Sequence, residues 1–347
     1  MKVFLGMDPG YRDAYHVFPF AKTITTYFER EGVSWTLDPE EPGVDVALLT
    51  QWSRPVDVVE RLKGRGVRIV HRLDGRARSL VKVYEMDEEN RAINRLADWT
   101  VYQSAYVRDH TTREVETFFG PEPPIVADPS RASLIYNGVD RGVFNEWGEP
   151  EPFRDDAGLR VLHVSFGSGV RKGVGEVVRL AELLRGNERI RFYCLGRQGG
   201  DIVWGERLRA LENVTELGPT GDRERIAAIM RACDVLLFPS VNDYCPNTVL
   251  EAMACGLPVI YHDSGGTPEI VRDGVDSAGL PMIEQNPVYP LYAAAENLQE
   301  LSRRAVAIVE RRFRMERMGQ EYLSLFRRLL DGGVEGVGDA AVRRRDT

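Results

Sequence analysis

Cysteine is scarce in this chain of 347 residues: there are four, with no CxxC spacing and no His/Cys cluster. Cys194, Cys233, Cys245 and Cys255 therefore read as reduced thiols, which argues against a disulfide framework and against a structural zinc. Positive charge is also short. The formal net charge of −8 lacks the basic footprint of a nucleic-acid binder, so no nucleic acid is expected as partner. The longest apolar runs are strand-sized, so no segment is expected to span a membrane. Lys2-Val3-Phe4-Leu5 reads as a strand rather than a signal-peptide core, and the expected location is the cytoplasm. There is no internal repeat. There is also no G-x-G-x-x-G after the first strand, where the turn Met7-Asp8-Pro9-Gly10-Tyr11-Arg12 holds only Gly10. That absence counts against a nicotinamide-dependent oxidoreductase.

What is present describes a globular α/β protein. Apolar residues at 43% and charged residues at 28% are ordinary, and the length suffices for two domains with separate cores. Short apolar runs (Val3–Gly6, Val44–Thr50, Val67–Val70, Asp98–Tyr102) alternate with amphipathic stretches such as Val56–Lys63 and Glu88–Leu96. The alternation predicts a parallel, doubly wound sheet. His71 follows the run that ends at Val70, the edge where such sheets place chemistry. After the charged, Pro-containing run Glu146–Gly158, the pattern resumes with Arg160–Val164, Ile190–Leu195, Val214–Leu217 and Val235–Phe238.

Small residues and two cations, Ser165-Phe166-Gly167-Ser168-Gly169-Val170-Arg171-Lys172-Gly173, fill the gap between Arg160–Val164 and a helix from Val174. Small side chains there let a phosphate approach the backbone, and Arg171 and Lys172 suit a diphosphate whose charge grows as it leaves. Arg-Lys outside such a setting is an ordinary solvated helix start. The most informative stretch runs from Pro239 to Glu269 and follows the apolar run Val235–Phe238: a loop, the helix Thr248–Cys255, a second apolar run and Gly265-Gly266. Asn247 or Thr248 is expected to cap that helix, with its free amides facing an anion. Asp243 in the loop and Glu251 on the helix are acids placed to accept hydrogen bonds from sugar hydroxyls.

These residues resemble the signature of glycosyltransferase family 4, retaining enzymes of the GT-B fold that use nucleotide-sugar donors. The acid-x7-acid pair is Asp243 and Glu251. The Ala-rich helix and its exit are Ala252-Met253-Ala254-Cys255-Gly256-Leu257-Pro258-Val259, and the Gly-Gly-x-x-Glu turn is Gly265-Gly266-Thr267-Pro268-Glu269. The Asp243-Tyr244-Cys245-Pro246-Asn247 variant resembles bacterial surface-polysaccharide members. Asn137-Gly138-Val139-Asp140 and Lys172-Gly173 also match, whereas Ser165-Phe166 stand where Gly-Arg is usual.

The resemblance implies two Rossmann-like, doubly wound parallel-sheet domains facing a cleft. The expected boundaries are 1–140 for an acceptor-side domain, 141–158 for a linker and 159–310 for a donor-side domain. A helix at 311–331 is expected to cross back to the first domain, followed by a disordered tail at 332–347. It implies transfer of a hexose from a UDP- or GDP-sugar to an acceptor hydroxyl, in polysaccharide or glycoconjugate biosynthesis, with no metal and no further cofactor. Arg171 and Lys172 would neutralise the diphosphate with the amides near Asn247 and Thr248, and Glu251 would bind ribose. Asp243 would hold the donor sugar, Glu269 would support Gly265-Gly266 or touch the sugar, and His71 would line the sugar. Gly10, Gly196 and Arg197 would lie along the nucleotide. The acceptor would be a sugar or a lipid-linked sugar. The arginines after Arg303 read as a solvated face, with a peripheral contact to the inner face of a membrane as the alternative. A non-catalytic GT-B module that binds a nucleotide sugar, or serves as a partner subunit, is the rival reading.

Overall fold

The computed structural model describes residues 1–7, 18–50, 55–76, 83–117, 120–153, 155–165, 172–196, 202–274 and 276–332. Its contacts divide the chain into two units, Met1–Asn137 with Glu316–Thr347, and Gly138–Met315.

Aliphatic runs too short for helices build the first sheet, and amphipathic segments form the helices between them. In order these elements are β1 (Lys2–Gly6), α1 (Pro19–Arg30), β2 (Ser34–Thr36), β3 (Val46–Leu49), α2 (Val56–Gly64) and β4 (Arg68–Leu73). They continue with α3 (Val83–Leu96), β5 (Trp99–Tyr102), α4 (Ala105–Thr112), β6 (Val115–Thr117), β7 (Gly120–Glu122) and β8 (Ala132–Leu134). Six strands run parallel in the order β2-β1-β3-β4-β5-β8. Every residue of β3 and β5 is buried, as a parallel sheet covered on both faces requires. Ser104 caps α4, its hydroxyl accepting from the Val107 amide at 3.1 Å. Strands β6 and β7 pair as an antiparallel ribbon.

The second unit opens with β9 (Leu159–Ser165), α5 (Val174–Leu183), β10 (Ile190–Gly196), α6 (Ile202–Arg209), β11 (Val214–Gly218), α7 (Arg223–Arg231) and β12 (Val235–Phe238). It continues with α8 (Asn247–Ala254), β13 (Val259–Tyr261), α9 (Thr267–Val271), β14 (Arg272–Asp273), β15 (Asp276–Ser277) and β16 (Gly279–Pro281). The helices α10 (Tyr289–Glu296) and α11 (Leu298–Arg312) complete it, and α12 (Met315–Leu330) follows. The strand order is β11-β10-β9-β12-β13-β16, all parallel. The chain therefore winds outward from β9 through β10 and β11, then returns to β12 on the other side of β9. Such a reversal parts the loops that leave neighbouring strands and opens a crevice at their carboxyl ends.

Residues 141–158 belong to this second unit. Phe144 is fully buried, and Arg141 bonds Glu310 at 2.9 Å, Glu146 at 2.6 Å and the Ala254 carbonyl. Charge and proline mark this stretch as a linker, yet Arg141 ties it to α8, and its main chain bonds α7, the Glu151 amide donating to the Ala228 carbonyl at 2.9 Å and Arg231 donating to the Glu149 carbonyl at 3.0 Å. Helices α10 and α11 are parted at Asn297, whose side-chain amide donates to the Ala293 carbonyl at 2.8 Å.

Helix α12 packs within the first unit, with Tyr322 5.9 Å from Phe20 and Phe326 6.3 Å from Phe28 between ring centroids. Gly319 lets it approach: a Cβ there would stand 2.0 Å from the ring of Tyr27, itself only 3% exposed. Alanine inside a helix normally outranks glycine by about 1 kcal/mol. Here the contact reverses the sign. Gly319→Ala is expected to lower stability by about 1–3 kcal/mol, read as a fall in urea midpoint, and an unchanged or raised midpoint would contradict the packing.

Candidate functional site

Two loops leave β9 and β12 at the reversal in strand order. The first ends at Lys172 and Gly173. Gly173 has φ +76, and a Cβ there would fall 2.5 Å from Cγ of Pro239, so glycine fits where this loop crosses the exit of β12. The second carries Asp243. Lys172 Nζ donates to Asp243 Oδ2 at 2.9 Å, although the residues are 71 positions apart, and the ammonium stands 5.9 Å from the Phe238 ring. Both side chains keep some solvent access, 35% for Lys172 and 18% for Asp243.

The loop holding Asp243 is fixed through its backbone. The Gly266 amide donates to the Asp243 carbonyl at 2.7 Å, and the Asn242 amide to Ser264 Oγ at 2.9 Å. Asn242 takes a left-handed φ of 52, and a Cβ on Gly265 would lie 2.4 Å from the Asp243 carbonyl. Gly265-Gly266 thus supports the acidic loop directly. Glu269 stands partly exposed in the first turn of α9.

Helix α8 begins at Asn247, with extended Pro246 as its cap residue. Neither Asn247 nor Thr248 is the cap expected from their side chains: proline's fixed φ turns the chain first, and both lie inside the first turn. Their amides have no acceptor within the helix. Glu251, one turn further, is 8% exposed and has no hydrogen-bonding or ion-pairing partner among the described residues. Burial pushes its carboxyl up to about 7, against the opposing pull of the Arg223 charge.

Sequence reasoning missed Ser264, Ser240, Arg223 and His163. Ser240 Oγ lies 3.5 Å from Asp243 Oδ2. His163, buried on β9, has Nδ1 3.2 Å from the Leu237 carbonyl and no hydrogen-bond partner at Nε2 among the described residues. Burial lowers it to about 4, with the Lys172 charge acting in the same direction. Ser165 Oγ, two residues on, is also buried without a partner there. Only the small residues flanking Gly265-Gly266 hinted at Ser264, and nothing marked the others.

Gly196 ends β10 beside Ser165, with φ +103. Gly10, Arg171 and Arg197 lie outside the described residues. In the first unit His71 is interior to β4, which runs on to Leu73 because Arg72 and Leu73 pair with Val101 and Tyr102. Its side chain is fully buried, with Nδ1 3.3 Å from Asn94 Nδ2, and burial lowers it to about 4. The four cysteines are buried, and burial raises the thiols of Cys194, Cys233 and Cys255. Those three are poor nucleophiles. Among the described residues no group of three or more His, Cys, Asp and Glu is placed to hold a metal ion. No described helix is long and apolar enough to cross a membrane.

Glu251 titrates higher folded than unfolded, so its ionisation destabilises the fold progressively from about pH 4.5 to about pH 7 and constantly above. Glu251→Gln is expected to raise unfolding free energy by on the order of 1–3 kcal/mol above pH 7. The gain should vanish below about pH 4.5. Ligand-free urea melts across that range test it, and a difference independent of pH would overturn the assignment.

Residues 159–302 match the family model described as glycosyl transferases group 1. The chain is 30% identical over 224 residues to a D-inositol 3-phosphate glycosyltransferase of Segniliparus rotundus. That match covers 60% of this chain and 49% of the relative, so the chain spans about half the length of the protein it matches. Among solved structures, Anabaena HepE in complex with UDP aligns with a TM-score of 0.68 at 16% identity, over 94% of this chain and 99% of that one. Sucrose-phosphate synthase from Thermosynechococcus elongatus aligns with a TM-score of 0.66 at 19% identity, over 92% and 80%. With its two parallel six-stranded α/β domains, this chain has the GT-B fold, and its second domain carries the glycosyl transferases group 1 pattern.

Proposed function

We propose that the protein is a retaining glycosyltransferase that moves a hexose from a UDP- or GDP-sugar to the hydroxyl of a sugar or lipid-linked sugar, in polysaccharide or glycoconjugate biosynthesis. The observation that carries this reading is the meeting of Lys172 and Asp243, 2.9 Å apart at the reversal in strand order, with the buried Glu251 on the helix that follows the Asp243 loop. A cation, free helix amides and two carboxylates on one sheet edge suit a ligand with a diphosphate in its middle and a polyol on either side.

In this reading Lys172, with Arg171, takes the diphosphate, helped by the amides of Asn247 and Thr248. Glu251 accepts the ribose hydroxyls, and Asp243 those of the hexose. The bond from the anomeric carbon to the diphosphate oxygen breaks, and a bond from that carbon to the acceptor oxygen forms on the same face. The acceptor proton passes to the departing diphosphate, whose charge the cations offset. No metal ion is needed for this scheme. The glycosyl transfer named for the Segniliparus rotundus relative supports the reaction type.

Calorimetric titration with UDP and GDP, with and without EDTA, followed by hydrolysis assays on a panel of their sugars, tests the proposal. Micromolar binding of one nucleotide without metal, and slow hydrolysis of one of its sugars, is expected. Lys172→Ala should weaken that binding and cut turnover at saturating donor by about 10²-fold or more. Binding without hydrolysis, even with acceptors, would make the protein a nucleotide-sugar-binding module, and binding of neither nucleotide would remove the reading.

A further inference from the structure

We propose that Asp243 competes with the diphosphate for Lys172, so that the site favours the intact donor over the spent nucleotide. The inference rests on the reading of this edge as a nucleotide-sugar site. The ammonium that would take the diphosphate is held at 2.9 Å by the carboxylate that would take the sugar. Close backbone contacts flank both residues. Asp243 is pinned by the Gly266 amide and by Gly265 against its carbonyl, and the Lys172 loop rests through Gly173 on Pro239. An exchange of partners is therefore a rotation of the lysine side chain, which carries a compact charge on a flexible stem.

The two ligands differ in what they return to Asp243. A bare nucleoside diphosphate draws Lys172 away and leaves a mostly buried carboxylate oxygen without that donor, with Ser240 Oγ 3.5 Å away. The intact donor draws the same ammonium but brings sugar hydroxyls that donate to the vacated carboxylate oxygen. A buried acceptor left without a donor costs free energy, and one that regains a donor does not. Once the hexose has left, re-forming the ion pair opposes retention of the product. Asp243 is thus a specificity-determining residue for release as well as for binding.

The test is calorimetry of UDP and GDP binding to the full chain and to Asp243→Asn, Lys172→Ala and the double variant, at one ionic strength. Asp243→Asn keeps the shape and leaves the backbone bond from Gly266 in place. It is expected to tighten the nucleotide by about 5- to 50-fold, whereas Lys172→Ala weakens it. On the Lys172→Ala background Asp243→Asn should change affinity by less than about twofold, since the competitor is gone. The ratio of donor affinity to nucleotide affinity should fall in Asp243→Asn. An unchanged or weakened nucleotide affinity in Asp243→Asn would overturn the proposal. So would full retention of its effect without Lys172, which would signify simple repulsion between Asp243 and the phosphates. Asp243→Ser carries the same comparison should the asparagine variant melt below the assay temperature. If the unaltered protein binds neither nucleotide, the reading of the edge falls and this inference with it. Binding without an effect of Asp243→Asn removes the inference alone.

Discussion

Parallel strands leave their loops on one edge, and the order of strands decides which loops become neighbours. In the second domain β9 and β12 are adjacent although α5, β10, α6, β11 and α7 lie between them in sequence. Lys172 and Asp243 owe their 2.9 Å contact to that adjacency. The remaining features of the edge are arranged around it: Gly173 lets one loop cross Pro239, and Gly265-Gly266 buttresses the other. Helix α8 starts where the second loop ends. The exposed side chains there are few, but the backbone that places them is bonded on both sides.

Such a site is held at a cost to the fold. Glu251 is buried with no partner among the described residues, and its raised carboxyl registers the expense of ionising it there. A hydrocarbon side chain would pack α8 more favourably. His163 and Ser165 add buried polar atoms without partners along β9, the strand that leads into the same edge.

The first domain buries the Arg72 and Arg76 guanidiniums in hydrogen-bond networks. Arg72 donates to Gln103 and Asn137, each at 2.8 Å, and lies 3.8 Å from the centroid of Phe20. Arg76 reaches Glu122 at 3.2 Å and the carbonyls of His110, Arg113 and Pro123. These guanidiniums tie strand ends to the β6-β7 ribbon and to Asn137. The Asn-Gly-Val-Asp stretch begins with a residue that closes a buried network, and its Gly138 allows Arg314 and Met315 to pass within 2.8 Å of where a Cβ would be.

Much of this was legible from local pattern. Val235–Phe238 appears with the bounds that its hydrophobic run implies. The acid-x7-acid spacing and the Gly-Gly turn marked the functional edge because backbone freedom and charge are written residue by residue. Pairings between distant segments were not legible. The sequence could not say that β4 extends past His71, since pairing with β5 decides where a strand ends. Nor could it seat residues 141–158, whose few buried side chains are outnumbered by charged ones. Residue types and their spacing alone determined which groups can bind a phosphate or a hydroxyl. Only the tertiary structure decided that Lys172 and Asp243 hold each other and that Glu251 is buried, because contact and burial depend on strand order, and strand order is a property of the whole sheet.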